Sequence, residues 1–238
     1  MEAPGREGGS MSIDFSALAR CGAEVDFFLL RHGKSEGNAK DIVQGHMDFP
    51  LSEEGKEQAK KTADHLADKS IRAVLCSPLS RAAQTAAIVA AQAGLAPPRP
   101  LPELMEMDTG AYTGLTLDQA REKYPAMWPR FQAASWEGVD GAETINALRT
   151  RAGAAWRIMI REAAALAEAE AAGEARIGIL CVTHAGFLQW LIKAPDNGAS
   201  WFPLFPMGHC GLYQLSVGGT VIRWSLLNFQ AAGVTGKR

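Results

Sequence analysis

Residues 25–38 read Val-Asp-Phe-Phe-Leu-Leu-Arg-His-Gly-Lys-Ser-Glu-Gly-Asn, and their reading decides the fold. The first six are apolar but for Asp26 and predict a buried strand. Arg31 and His32 follow where that strand ends, then Gly33 and small polar residues. In open α/β sheets, ligands bind at the carboxyl ends of the strands. A guanidinium offers a planar fork to phosphate oxygens, and a neutral imidazole is a nucleophile. Arg31 and His32 are therefore candidate site residues, with Gly33 allowing a tight backbone turn after them.

Working outward, β-branched and aromatic runs predict strands at 25–31, 71–76, 177–183, 212–217 and 221–227. Helices are predicted at 53–67, with Ser52 as N-cap and Ala59, Ala63 and Leu66 on one face, and at 80–93, stopped by Gly94. A third spans 142–172, where Ile145, Leu148, Ala152, Ala155, Met159, Ala163 and Leu166 form one stripe. Strands alternating with helices predict a three-layer α/β/α sandwich with a mostly parallel sheet. The last two strands, joined around Gly218-Gly219, predict an antiparallel edge. Residues 112–141 break the alternation and are expected to be a helical insertion over the carboxyl edge of the sheet, above the active site. The expected organisation is a disordered tail at 1–22, a single domain at 23–232 and a short tail at 233–238.

Five blocks, in order over roughly residues 25 to 190, resemble the histidine phosphatase superfamily, also called the phosphoglycerate-mutase-like family. The first is Leu29-Leu30-Arg31-His32-Gly33-Lys34-Ser35-Glu36-Gly37-Asn38. Gln44-Gly45 with Asp48-Phe49-Pro50-Leu51-Ser52-Glu53-Glu54-Gly55, and Ser77-Pro78-Leu79-Ser80-Arg81, come next. Glu106-Met107-Asp108-Thr109-Gly110 through Gly114, and Val182-Thr183-His184-Ala185-Gly186, complete the set. The resemblance implies the phosphoglycerate-mutase-like fold. It also implies hydrolysis of a small organic phosphate through a phosphohistidine, the chemistry of a phosphoric monoester hydrolase of the histidine acid type. His32 would be the nucleophile, its other ring nitrogen fixed by a carbonyl in the same turn. Arg31 and Arg81 would clamp the phosphate, with Asn38 and Ser35 as neutral donors and His184 as the second pocket histidine. Placed between the anion and a carboxylate, His184 would have a raised pKa.

The proton donor is a choice among Glu103, Glu106 and Asp108. The resemblance implies glycines four and eight residues after the acid, and Gly110 and Gly114 then favour Glu106. Two alternatives stay open: a phosphoglycerate mutase, and a non-catalytic phosphate- or protein-binding module of the same fold. The chain departs from the family pattern at Ala185, at Met207-Gly208-His209-Cys210-Gly211, and at Gly141-Ala142-Glu143-Thr144, whose role is open.

Composition narrows the partners. A net charge of −2 gives no electrostatic reason to expect nucleic acid or an anionic membrane, so a small-molecule phosphomonoester is the expected partner. No apolar run reaches the ~20 residues that span a bilayer, and the first residues lack the apolar core of a secretory signal, so a cytoplasmic location is expected. Cys21, Cys76, Cys181 and Cys210 are scattered and expected to be reduced thiols. The five histidines show no metal-ligand spacing, and no phosphate-binding G-x-x-x-x-G-K-[ST] loop is present, so no metal or cofactor is expected. Trp128, Phe131, Trp136, Trp201, Phe202 and Phe205 are expected mostly to pack the core or a lid. Any that face the site would favour an apolar or aromatic phosphomonoester.

Overall fold

Strand β1 (Glu24–Arg31) carries its apolar side chains to both faces, as a strand covered on both sides must. Val25, Phe27 and Leu29 enter one core, and Phe28 and Leu30 enter the other. The computed structural model describes residues 13–169, 176–219 and 221–233. In chain order β1 follows helix α1 (Ser16–Cys21) and precedes α2 (Glu36–Ala39), α3 (Glu53–Leu66), β2 (Ile71–Cys76), α4 (Ser80–Gln92) and β3 (Arg99–Pro100). Then come α5 (Leu117–Lys123), α6 (Trp128–Ala134), α7 (Ile145–Ala169), β4 (Arg176–Thr183), α8 (Ala185–Lys193), β5 (Leu212–Gly218) and β6 (Val221–Phe229).

Among the described residues the strands form one six-stranded sheet in the order β3-β2-β4-β1-β5-β6. β3, β2, β4 and β1 run parallel, and β5 and β6 are antiparallel, as the hairpin around Gly218-Gly219 predicts. Helices α1, α7 and α8 cover the face holding Phe27 and Leu29, and α3 and α4 cover the other. The result is the expected α/β/α sandwich with a mostly parallel sheet.

Local chemistry sets the boundaries. Ser52 caps α3 through its side chain, accepting from Gly55 N at 3.1 Å. The stripe on α7 is buried at Leu148, Ala152, Ala155, Met159 and Ala163, with Ile145 and Leu166 at its half-buried margins. The end of the helix predicted to residue 172 lies partly outside the described residues.

Two expectations need correction. The N-terminal tail does not extend to residue 22: α1 is a helix, with Phe15 and Leu18 buried against Trp156 and Phe27. Residues 1–12 and 234–238 lie outside the described residues. The sequence reading also missed α8, because the helix is short and every residue from Phe187 to Lys193 is buried, so that Gln189 and Lys193 alone mark its polar side.

The 112–141 segment is helical as expected, through α5, α6 and short 3-10 turns. Tyr112, Ala120, Met127 and Val139 give it a small core of its own. All four cysteines are free, and no helix among the described residues is long and apolar enough to cross a membrane.

Candidate active site

Parallel pairing of β1 with β4 brings Arg31 opposite Thr183, so His32 and His184 emerge side by side at the carboxyl end of the sheet. His32 N donates to Thr183 O at 2.9 Å, and the two imidazole rings lie 5.0 Å apart, edge to face. His32 Nδ1 sits 2.6 Å from Gly33 O. A carbonyl only accepts, so Nδ1 carries the proton and Nε2 keeps its lone pair. The glycine at 33 is needed for a different reason from the one expected: its φ is ordinary, but a Cβ there would meet Gly55 O at 2.5 Å.

Arg31 and Arg81 flank this imidazole. Arg31 donates to Met207 O, and Arg81 to Met47 O and Gly45 O, both at 2.8 Å. In each the Nε is buried without a partner. Burial lowers the Arg31 pKa to about 10, partly offset by Glu106, and lowers that of Arg81. Both remain cations at neutral pH. The burial of Arg81, 1% exposed, excludes a solvated charge at the start of α4. The N-terminus of that helix is served instead by Asp48, which accepts from Ser80 N at 2.7 Å and Ser80 Oγ at 2.6 Å.

Burial first, then Arg31 and Arg81, hold the His32 pKa well below its usual value. His184 is lowered too, by burial and then by His32 and the same arginines. Its Nε2 lies 2.7 Å from Ser77 Oγ, while Nδ1 is buried and unpartnered. Ser77 Oγ already accepts from Leu79 N at 3.2 Å. The tautomer that gives Ser77's proton to Nε2 leaves Nδ1–H as a free donor.

Arg31, His32, Asn38, Arg81 and Glu106 line one cavity of about 370 Å³, whereas His184 is fully buried beside His32 and is not among the lining residues. Of the three candidate acids only Glu106 lines it. Its Oε1 accepts from Met107 N and Phe187 N at 2.9 Å, and Oε2 from Gly186 N at 3.2 Å, at the positive start of α8. Gly186 permits this approach, since a Cβ there would stand 2.8 Å from Glu106 Oε1. Ser35 does not line the cavity. It is fully buried and caps α2, accepting from Asn38 N at 3.0 Å, with its hydroxyl 2.9 Å from the side-chain oxygens of Asn38 and Gln44. Asn38 Oδ1 is occupied by Ser35, so its NH₂ is the end left for the cavity.

The outer wall is apolar. Trp136, Trp201 and Phe205 line the cavity together with Leu204 and Met207, whereas Trp128 and Phe131 pack within the insertion and Phe202 is exposed. The wall segment is tied to α8. Gln189 accepts from Phe205 N at 3.0 Å and donates to Phe205 O at 2.8 Å, and Lys193 Nζ donates to Ser200 O at 2.9 Å and to Trp201 O. Sequence reasoning gave no role to Ser77, Gln44 or His209. Ser77, a polar residue directly after an apolar strand, carried the one readable signal. Among the described residues no three His, Cys, Asp or Glu are grouped to share a metal ion.

Known proteins resemble this chain in sequence and fold. Phosphoserine phosphatase 1 of Hydrogenobacter thermophilus is 35% identical over 107 residues, 45% of this chain and 50% of that one. A 2,3-bisphosphoglycerate-dependent phosphoglycerate mutase of Methylobacterium sp. is 37% identical over 113 residues, 45% and 52% of the two chains. The chain spans about half the length of the curated relatives it matches. A mycobacterial glucosyl-3-phosphoglycerate phosphatase solved in complex with VO3 superposes with a TM-score of 0.68 at 27% identity, covering 86% of this chain and 98% of that one. The family model for the histidine phosphatase superfamily (branch 1) matches residues 27–230, and the chain belongs to that superfamily.

Proposed function

We propose that this chain is a metal-independent phosphomonoesterase that works through a phosphohistidine on His32. The observation that carries the reading is the short contact from His32 Nδ1 to Gly33 O, which aims a neutral Nε2 lone pair into a cavity flanked by two buried guanidiniums. Nε2 attacks phosphorus in line with the ester oxygen, the P–O bond breaks, and Glu106 gives that oxygen its proton. Arg31, Arg81, Asn38 and His184 Nδ1–H donate to the non-bridging oxygens, where each donor matters most as charge builds. Glu106, now a carboxylate, takes a proton from water as its oxygen attacks phosphorus. Nε2 leaves with its electron pair, and inorganic phosphate is released.

Two observations favour a phosphatase acting on an uncharged organic group over a mutase. Arg31 and Arg81 are the only Lys or Arg side chains lining the cavity among the described residues, and the reading commits both to phosphate. The wall beyond them is Trp136, Trp201, Leu204 and Phe205, which offers burial to an apolar or aromatic alcohol and no cation to a carboxylate.

The test is phosphate release from p-nitrophenyl phosphate in EDTA by wild type and His32→Ala, with a phosphoenzyme trapped by alkaline quench. Turnover and trapped phosphate in wild type alone are expected. Activity retained by His32→Ala would overturn the nucleophile. An inert wild type that interconverts phosphoglycerates would establish the mutase.

A further inference from the structure

The proposed acid, Glu106, lies on a loop between two 3-10 turns, and a loop alone does not hold a carboxylate in place for proton transfer. Its oxygens are held from the front by Met107, Gly186 and Phe187 amides. A second set of bonds holds its backbone from behind. Arg151, on α7, donates through Nη1 to Met105 O at 2.6 Å and to Glu103 O at 3.2 Å. The same guanidinium makes a forked pair with Glu143, Nε to Oε1 at 2.9 Å and Nη2 to Oε2 at 2.6 Å. Glu143 N donates to Asp108 O at 2.9 Å, and Asp108 N donates to Glu143 Oε2 at 3.4 Å. The loop is thus gripped at 103 and 105 before Glu106 and at 108 after it. The Arg151 guanidinium also stacks 3.8 Å over the ring of Phe187, whose N–H is one of the amides on Glu106.

The pair is half-buried, with side chains 19% and 16% exposed, and neither residue lines the cavity. Neither is therefore placed to touch substrate. Planar fork geometry matters here, because one guanidinium serves two carboxylate oxygens and two carbonyls at once.

We infer that Glu143 and Arg151 are positioning residues for Glu106, a clamp that sets the acid against the leaving oxygen in the first step, which kcat/KM reports, and against the attacking water in the second. The inference rests on the reading of Glu106 as the acid. It gives a function to the Gly141-Ala142-Glu143-Thr144 segment that sequence left open.

The consequence is a dependence on the leaving group. p-Nitrophenolate leaves with little help from an acid, whereas an alkoxide needs it. General acid catalysis is worth on the order of 10²–10⁴ in rate, so a displaced acid surrenders part of that only where protonation counts. Arg151→Lys keeps the charge and loses the fork, and Glu143→Gln keeps the shape and loses the charge. Both are expected to hold kcat/KM for p-nitrophenyl phosphate within about threefold of wild type and to lower it about thirtyfold for an alkyl phosphate. A general folding defect would lower both substrates alike.

The control is Glu106→Gln, alone and combined with Arg151→Lys. If the clamp acts through Glu106, Arg151→Lys adds nothing in the Glu106→Gln background, and the cycle is non-additive. If Glu106→Gln shows the leaving-group dependence but Arg151→Lys and Glu143→Gln do not, the clamp is overturned and the acid stands. If Glu106→Gln lowers both substrates equally, the acid reading itself fails.

Discussion

His209 offers a test of the site's electrostatics that needs no activity. Its ring is largely buried beside Arg31 and Lys34, and its Nε2 has no partner. Burial first, then the two cations, push its pKa from 6.5 down to about 3. In the unfolded chain the ring titrates near 6.5. Above that pH both states are neutral and His209 is silent. Below it the unfolded chain takes up a proton that the folded chain refuses. Stability therefore falls as pH falls, from about 6.5 until the folded ring titrates near 3.

Between pH 7.5 and 5.5 one such histidine costs about 1.4 kcal/mol, a tenfold change in the folding constant. His32 and His184 are displaced in the same direction, so the wild type is expected to lose at least that amount. His209→Asn removes one titrating ring from both states. Urea unfolding at pH 7.5, 6.5 and 5.5, in buffer free of phosphate, is expected to show a smaller acid loss in the variant by about 1.4 kcal/mol. Any pH-independent cost of the substitution shifts every point equally and drops out of the comparison. Identical pH dependence in the two proteins would refute the argument that His209 is held neutral.

Two further outcomes test other parts of the site. Ser77→Ala leaves His184 Nε2 buried without a partner, which is expected to cost about 1–3 kcal/mol in urea unfolding; an unchanged midpoint would show that the hydrogen bond does not hold that ring. Leu204→Arg places a cation on the apolar wall. Its kcat/KM for phosphoserine relative to p-nitrophenyl phosphate is expected to rise about threefold, the scale of an exposed ion pair, and an unmoved ratio would mean the wall does not face the organic group.

Much of the sheet was legible because β1 and β4 are covered on both faces and read as unbroken apolar runs. β3 was not, since Arg99 and Pro100 amount to two paired residues inside a proline-rich stretch. α1 was hidden within a segment whose preceding residues are polar and glycine-rich, and two buried side chains anchor it. At the site, residue type and order pointed to Arg31, His32 and Arg81, because strand ends and helix starts fix where such groups emerge, whereas Glu106 lies on a loop and was picked out by the family's glycine spacing. Ser35 and Asn38 look alike as donors in a sequence. What separates them is whose lone pairs are already used, a fact set by the turn between them. The aromatic residues divide between cavity and core according to the path of irregular loops, and periodicity carries no information about that path.

The tie between Gln189 and Phe205 has a consequence for how this member of the superfamily can change. The amide of Gln189 meets the N–H and the carbonyl of Phe205 as a neighbouring strand would, and Lys193 likewise grips only carbonyls. The wall is thus held at its backbone as well as by the packing of Trp201 and Phe205. Trp201 is buried in the core against Trp190, with ring centroids 5.0 Å apart, and Phe205 packs on the same core, whereas the exposed Leu204 can be exchanged with the loop still anchored. On the proposed function, Leu204 is therefore the first position of the 201–205 wall to vary in a search for phosphomonoester substrates.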